Sequence, residues 1–262
     1  MFRQLPEFPL RGNTALMATQ SRQPAFLLTR PMAQSQRFAG QLRQALGDVQ
    51  VTISPLITPV LLAPEMPEGR FDAVIFTSET AVSACRTSVG GGHGLPMRAY
   101  CVGDRTAAAA GALGFDARSA GRDAAALIAL IRAQPPAGRL LHLHGQQTRG
   151  SVADTLTAAG IATSGVVVYR QDAQPLSAQA RALLQGAGAV FVPLFSPRSA
   201  ALFRAELQAL PRLAPLSLFS LSSAVDAELG ENPPAARFVA SDPDADALIS
   251  LILQRYAAER AP

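Results

Sequence analysis

The strongest constraint in this sequence is a repeat that runs through nearly its whole length. Residues Phe71–Ser78 form a short β-rich run ending in hydroxyls, and Ala187–Ser196 has the same character. A small-residue helix start follows each, from Glu79 and from Pro197. The apolar run Ala99–Gly103 has its counterpart in Leu216–Ser222, and helical patterns follow over Thr106–Leu113 and Ala224–Leu229. The closest match pairs Gly121–Ile131 with Asp242–Ile252. There Asp123 and Asp244 stand at helix starts, where an acid satisfies free N–H groups and suits the helix dipole. The openings correspond too. Strand Phe26–Arg30, a helix through Leu46 and a strand over Val51–Leu62, interrupted by Pro55 and Pro59, match strand Leu140–Gly145, a helix through Ala159 ended by Gly160, and strand Val166–Tyr169. The paired elements lie about 115–121 positions apart. A near-constant offset over so many pairs marks a duplicated half.

Strands alternating with helices imply parallel sheets covered by helices. The 262 residues suit two such domains. In open parallel sheets, ligands bind beyond the carboxyl ends of the strands. Those ends carry Thr29 and Arg30, Thr77 and Ser78, Gly103, His144 and Gly145, Ser196, and Ser222 with Ser223. Hydroxyls, glycines and unpaired helix N–H groups at a rim suit an anionic ligand. The working site is expected in the cleft between the two halves.

Several chemistries are disfavoured. No apolar run reaches the ~18–20 residues that span a bilayer. Residues 1–24 are polar and aperiodic, without the apolar core of a secretory signal, and are expected to be a flexible tail outside the fold, with Met17 an alternative start. Two cysteines, Cys85 and Cys101, make no disulfide framework and fit a reducing cytoplasm. All 23 basic residues are Arg, which removes Schiff-base and P-loop lysine chemistry. The net charge of +4 is modest and the arginines are scattered, so no nucleic-acid stripe is expected. Val89–Gly94 is glycine-rich but does not link a strand to a helix as a dinucleotide fingerprint requires. Gly103-Asp104-Arg105-Thr106 reads equally as a capped turn or as a ligand contact. His142 and His144 share one strand face, but a third metal ligand is lacking, so no metal site is expected. No G-x-S-x-G elbow is present and neither cysteine has an assignable histidine. Tyr169 ends an apolar strand, and the residues alone read it as an amphipathic strand-end tyrosine. A two-domain α/β protein that binds a small ligand without catalysis stays open on these residues. The lack of an apolar leader counts against an exported binder.

The set Leu28-Thr29-Arg30-Pro31, Phe76-Thr77-Ser78 with Ala81-Val82, Val102-Gly103-Asp104-Arg105-Thr106, Val168-Tyr169 and Phe195-Ser196-Pro197 resembles the uroporphyrinogen-III synthase family. The similarity runs in order from about residue 25 to 256. It implies two flavodoxin-like α/β domains with parallel sheets, joined by a two-stranded linker ladder, in a swapped tandem repeat. One domain combines residues 25–56 with 174–262. The other is 57–173, with linker strands near 55–62 and 166–173.

The resemblance also implies a cofactor-free, metal-free enzyme. Its substrate is hydroxymethylbilane, a linear tetrapyrrole polycarboxylate. The ring A hydroxyl leaves as water, and the azafulvene so formed is attacked by the substituted carbon of ring D. The spiro-pyrrolenine breaks and rejoins with ring D turned over, and closure gives uroporphyrinogen III. By resemblance, Tyr169 is the catalytic residue, acting on the departing hydroxyl or the developing cation. Arg30, Thr77, Ser78, Gly103, Thr106, Gly145 and Ser196 are substrate-binding. The family's I-G-P-T-T-A is replaced here by Leu221-Ser222-Ser223-Ala224-Val225. A hydroxyl donor is therefore lost at Val225, and Ser222 and Ser223 stand as replacement donors. A cytoplasmic monomer is expected, with no membrane or nucleic-acid partner and at most a transient contact with hydroxymethylbilane synthase.

Overall fold

The computed structural model describes residues 23–88, 94–121, 123–147, 151–231 and 235–260. Most of the expected tail, and His93 with most of the glycine-rich loop, lie outside the described residues. The chain divides into two compact units. One comprises the chain up to Ser54 together with the chain from Leu176; the other is Pro55–Pro175.

The first unit opens with β1 (Ala25–Leu28), α1 (Met32–Leu46) and β2 (Val51–Ile53). Every residue of β1 is buried, as expected of a parallel strand covered on both faces. α1 turns Phe38, Ala39 and Leu42 inward and ends at Gly47, whose φ of 81° a side chain rarely adopts. The chain then enters the second unit and forms β3 (Ile57–Leu61), β4 (Ala73–Phe76), α2 (Glu79–Ser88), β5 (Arg98–Cys101), α3 (Asp104–Ala112), β6 (Asp116–Ser119), α4 (Ala124–Ala133), β7 (Leu140–Gly145), α5 (Val152–Ala158) and β8 (Thr163–Ala173). It returns to the first unit as α6 (Ala178–Leu184), β9 (Val190–Leu194), α7 (Pro197–Gln208), β10 (Leu216–Ser220), α8 (Ser223–Ala227), β11 (Ala236–Val239) and α9 (Ala245–Arg260).

The first unit's sheet has the order β11-β10-β9-β1-β2, and its ladders are parallel. Counted along the chain within the unit, that is 2-1-3-4-5, the flavodoxin-like order. The second sheet runs β3-β8-β7-β4-β5-β6. Its parallel part has the same order once β7 and β8 are counted as first and second. The unit thus takes its opening β-α-β from late in the segment, as a swapped repeat requires. The antiparallel edge strand β3 pairs with β8 from Ile57↔Ala173 to Leu61↔Tyr169. This ladder tolerates Pro59 because β3 is an edge strand, where a missing N–H breaks no second ladder.

In the first unit, Phe26, Phe191, Phe219 and Tyr256 pack together, with the Phe26 and Phe191 rings edge-on at 5.7 Å. The second sheet is packed on both faces. Phe76, Leu141, Leu143, Val166 and Val168 meet α2 and α3 residues on one side; Ile75, Leu127, Ile131, Leu140 and Leu156 fill the other. Asp123 accepts from the Ala126 N–H at 2.8 Å, and Asp244 from the Ala247 N–H at 2.8 Å. Both repeat-related helix caps are therefore formed. Gly160 follows α5 at φ 84°, ending that helix as its sequence implies. Among the described residues, no helix is long and apolar enough to cross a membrane.

Candidate active site

In a 2-1-3-4-5 sheet, the order reverses between the first and third strands, which opens a crevice at their carboxyl ends. In the Pro55–Pro175 unit these strands are β7 and β4. They deliver Gly145 and the pair Thr77 and Ser78 to that crevice. Gly103 follows the next strand, β5, and begins α3.

Strand periodicity alone would put Tyr169 on the Val167 face. The pairing of β8 with β7 instead slips by one residue, from His144↔Val167 to Gly145↔Tyr169. Val168 is the extra residue, and such a bulge re-aims the side chain that follows it. Tyr169 consequently joins Val166 and Val168 in the core beneath α2. It is 8% exposed. Its hydroxyl lies 3.1 Å from Ser78 Oγ, which accepts from the Ala81 N–H at 3.1 Å. The Tyr169 carbonyl accepts from the Gln146 N–H at 2.8 Å. Gly145 sits against the ring: a Cβ built there would stand 2.5 Å from Tyr169 Cζ. Glycine at 145 is thus required by the tyrosine itself.

Thr77 faces the other side of the sheet, where its Oγ1 lies 3.4 Å from His142 Nε2. Burial first, and the neighbouring His144 second, push the His142 pKa down to about 3. The two imidazole rings stack at 4.6 Å between centroids. His144 Nδ1 donates to the Gly145 carbonyl at 2.9 Å. Among the described residues, no group of three or more His, Cys, Asp or Glu could hold a metal ion. Cys85 and Cys101 are free and buried, and burial raises both thiols to about 11. They behave as small apolar residues. Thr106 is buried in α3, whereas a Cβ at Gly103 would meet nothing within 4 Å.

In the other unit the corresponding strands are β1 and β9. Their ladder spans only Ala25↔Val190 and Phe26↔Phe191. Pro193, which has no N–H to give, lies past its end. Arg30, just after β1, places its guanidinium 3.9 Å over the Phe195 ring, a cation–π contact. Its Nε donates to Gln34 Oε1 at 3.1 Å. Ser196 caps α7, accepting from the Ser199 N–H at 3.2 Å. Ser222 begins α8 without a side-chain cap hydrogen bond, and Ser223 is exposed beside it. Val225 is 2% exposed and packs inward.

The structure thus brings Tyr169, Ser78 and Gly145 into direct contact. Thr77 lies on the opposite sheet face, and Arg30, Ser196, Ser222 and Ser223 form a rim of their own. Sequence reading noticed the His142/His144 alternation but missed that this pair anchors the Thr77 and Gly145 ends of β4 and β7. The bulge at Val168 has no sequence signature. A cavity of about 550 Å³, lined by Arg98, Tyr100, Asp116, Arg118 and Gln134, lies at the amino ends of β5 and β6, away from the carboxyl rim.

The sequence profile of the family described as Uroporphyrinogen-III synthase HemD matches residues 36–250. No curated protein matches the sequence. A uroporphyrinogen-III synthetase crystal structure from Helicobacter pylori 26695 is similar at a TM-score of 0.62 and 17% identity, over 88% of this chain and 99% of that one. A mutant uroporphyrinogen III synthase from the extremely thermophilic bacterium Thermus thermophilus aligns at a TM-score of 0.49 and 14% identity, over 90% and 100%.

Proposed function

Since the chain belongs to the uroporphyrinogen-III synthase family, cyclising hydro-lyases of tetrapyrrole biosynthesis, we propose that its reaction is started by Tyr169 through a directed chain of hydrogen bonds. The Ala81 N–H points at Ser78 Oγ, which can then donate its own hydrogen to Tyr169. Tyr169 is left with its phenolic hydrogen directed at the ring A hydroxyl of hydroxymethylbilane. Each hydroxyl accepts one bond and donates the next, so the bonds reinforce one another. Donation helps that hydroxyl leave as water. The substituted carbon of ring D then attacks the azafulvene, and the spiro intermediate breaks and rejoins with ring D inverted.

Geometry supplies the rest. The substrate closes to the wrong isomer unaided, so a binding surface that dictates which carbon attacks is the main requirement. Thr77, Gly103, Thr106 and Gly145 are the substrate contacts we assign to one rim, and Arg30, Ser196, Ser222 and Ser223 those of the other. Their hydroxyls, helix-start N–H groups and guanidinium suit carboxylates. Val225, packed inward, takes no part. We read the two units as the two domains and the enzyme as a cytoplasmic monomer, because one chain supplies both rims. Contact with hydroxymethylbilane synthase, the source of an unstable substrate, would be transient.

The observation that carries this reading is the bulge that turns the Tyr169 hydroxyl onto Ser78 at the crevice. Steady-state formation of the III isomer by wild type, Tyr169→Phe and Ser78→Ala tests it. Tyr169→Phe is expected to lose on the order of 10²-fold in kcat, within the range for a positioned proton donor, and Ser78→Ala less. Wild-type kcat in Tyr169→Phe would return the residue to a packing role.

A further inference from the structure

His144 lies on the β7 face opposite Tyr169, yet it grips the peptide against which the tyrosine is set. A carbonyl oxygen can only accept, so the 2.9 Å contact with the Gly145 carbonyl requires the hydrogen on Nδ1. That carbonyl stands at the slipped register between β7 and β8, where a regular ladder is interrupted. The next residue, Gln146, donates its N–H to the Tyr169 carbonyl at 2.8 Å. Gly145 itself touches the Tyr169 ring so closely that a Cβ would stand 2.7 Å from the hydroxyl oxygen. The His144 ring is in turn held in place. It stacks on His142 with 28° between the planes. Gly165 leaves room for it: a Cβ there would lie 3.2 Å from His144 Nε2.

We infer that His144 is a positioning residue for Tyr169. Its Nδ1–H fixes the Gly145 carbonyl, and so the plane of the Gly145–Gln146 peptide that seats the tyrosine ring. This rests on the catalytic reading of Tyr169. The role belongs to Nδ1 alone. Asparagine can offer an N–H near the Nδ1 position; glutamine carries its amide farther out, towards Nε2; leucine offers none.

The test compares His144→Asn, His144→Gln and His144→Leu, with Tyr169→Phe alongside, at a temperature where all are folded by circular dichroism. Expected is a fall in kcat for the III isomer of about tenfold in the Gln and Leu variants, with KM within about twofold, since an interaction acting through catalytic geometry lowers kcat. His144→Asn should recover to within about twofold of wild type. Loss in Asn equal to that in Leu, or wild-type kcat in all three, overturns the inference while leaving Tyr169 catalytic if Tyr169→Phe is slow. Unchanged turnover in Tyr169→Phe overturns both. A readout free of folding effects is the ¹⁵N spectrum of the wild-type imidazoles at neutral pH. The Nδ1–H tautomer is expected for His144, and an Nε2–H tautomer contradicts the assignment.

Discussion

At position 169 of an unbroken strand, a tyrosine would share a face with Val167 and never reach α2. The slip at Val168 puts it against Ser78 and Gly145, which makes two glycines informative in opposite ways. Gly145→Ala would place a Cβ 2.5 Å from Tyr169 Cζ, so ring or strand must shift. We expect a loss of roughly 1–3 kcal/mol in stability, typical of overpacking, together with a fall in kcat, measured by urea unfolding and by turnover. Gly103 has φ −144° and open space where a Cβ would go. Gly103→Ala should therefore lower the Tm by only a few degrees, the loss of about 1 kcal/mol that goes with a poorer Ncap residue. Lowered substrate affinity in a stable Gly103→Ala variant would mark close approach of the ligand; unchanged KM would leave Gly103 as a turn. Tyr169 and Ser78 were legible in the sequence through ordered motifs, and Gly145 through its place at the end of a strand. Their mutual contact was not, because it depends on a bulge whose position is set by pairing partners 20 or more residues away.

Among elements, the buried strands were the most legible. β1, β4 and β9 are fully buried runs bounded by turn chemistry. β6, Asp116–Ser119, and β11, Ala236–Val239, escaped notice because short edge strands carry exposed residues and no apolar run. The helix over Thr106–Leu113 in fact starts earlier, at Asp104, because Gly103 takes the extended Ncap conformation. β7 carries a pH-sensitive feature. His142 is held neutral in the fold, with its pKa lowered from 6.5 to about 3 by burial and by His144. The unfolded chain binds a proton below pH 6.5 that the folded chain refuses. Its effect on stability is therefore absent above pH 6.5 and grows as the pH falls towards 3, by at most about 1.4 kcal/mol per pH unit. Urea midpoints at pH 7 and 4.5 should differ less in His142→Leu than in wild type. An equal drop in both would assign the acid sensitivity elsewhere.

For the whole molecule, the duplicated pattern foretold two parallel sheets; the first has the 2-1-3-4-5 order, and the second has it in its parallel part, with the antiparallel β3 added at the edge. The exchange of the opening strands came from the family resemblance, since sequence periodicity fixes the number of β-α units and not which sheet each joins. The buried thiols offer a probe of this architecture. Burial lifts Cys85 and Cys101 to about 11, so at pH 8 alkylation should proceed only as fast as the second unit opens; rapid labelling of folded protein would contradict their packing. The most direct measurement is the isomer composition of the product. Purified protein is supplied with hydroxymethylbilane, the products are oxidised, and the porphyrin isomers are separated. Uroporphyrin III should dominate, with Tyr169→Phe shifting the mixture towards isomer I. Isomer I at the rate of an enzyme-free control, with wild-type protein present, would contradict the assignment of this rim to ring D inversion.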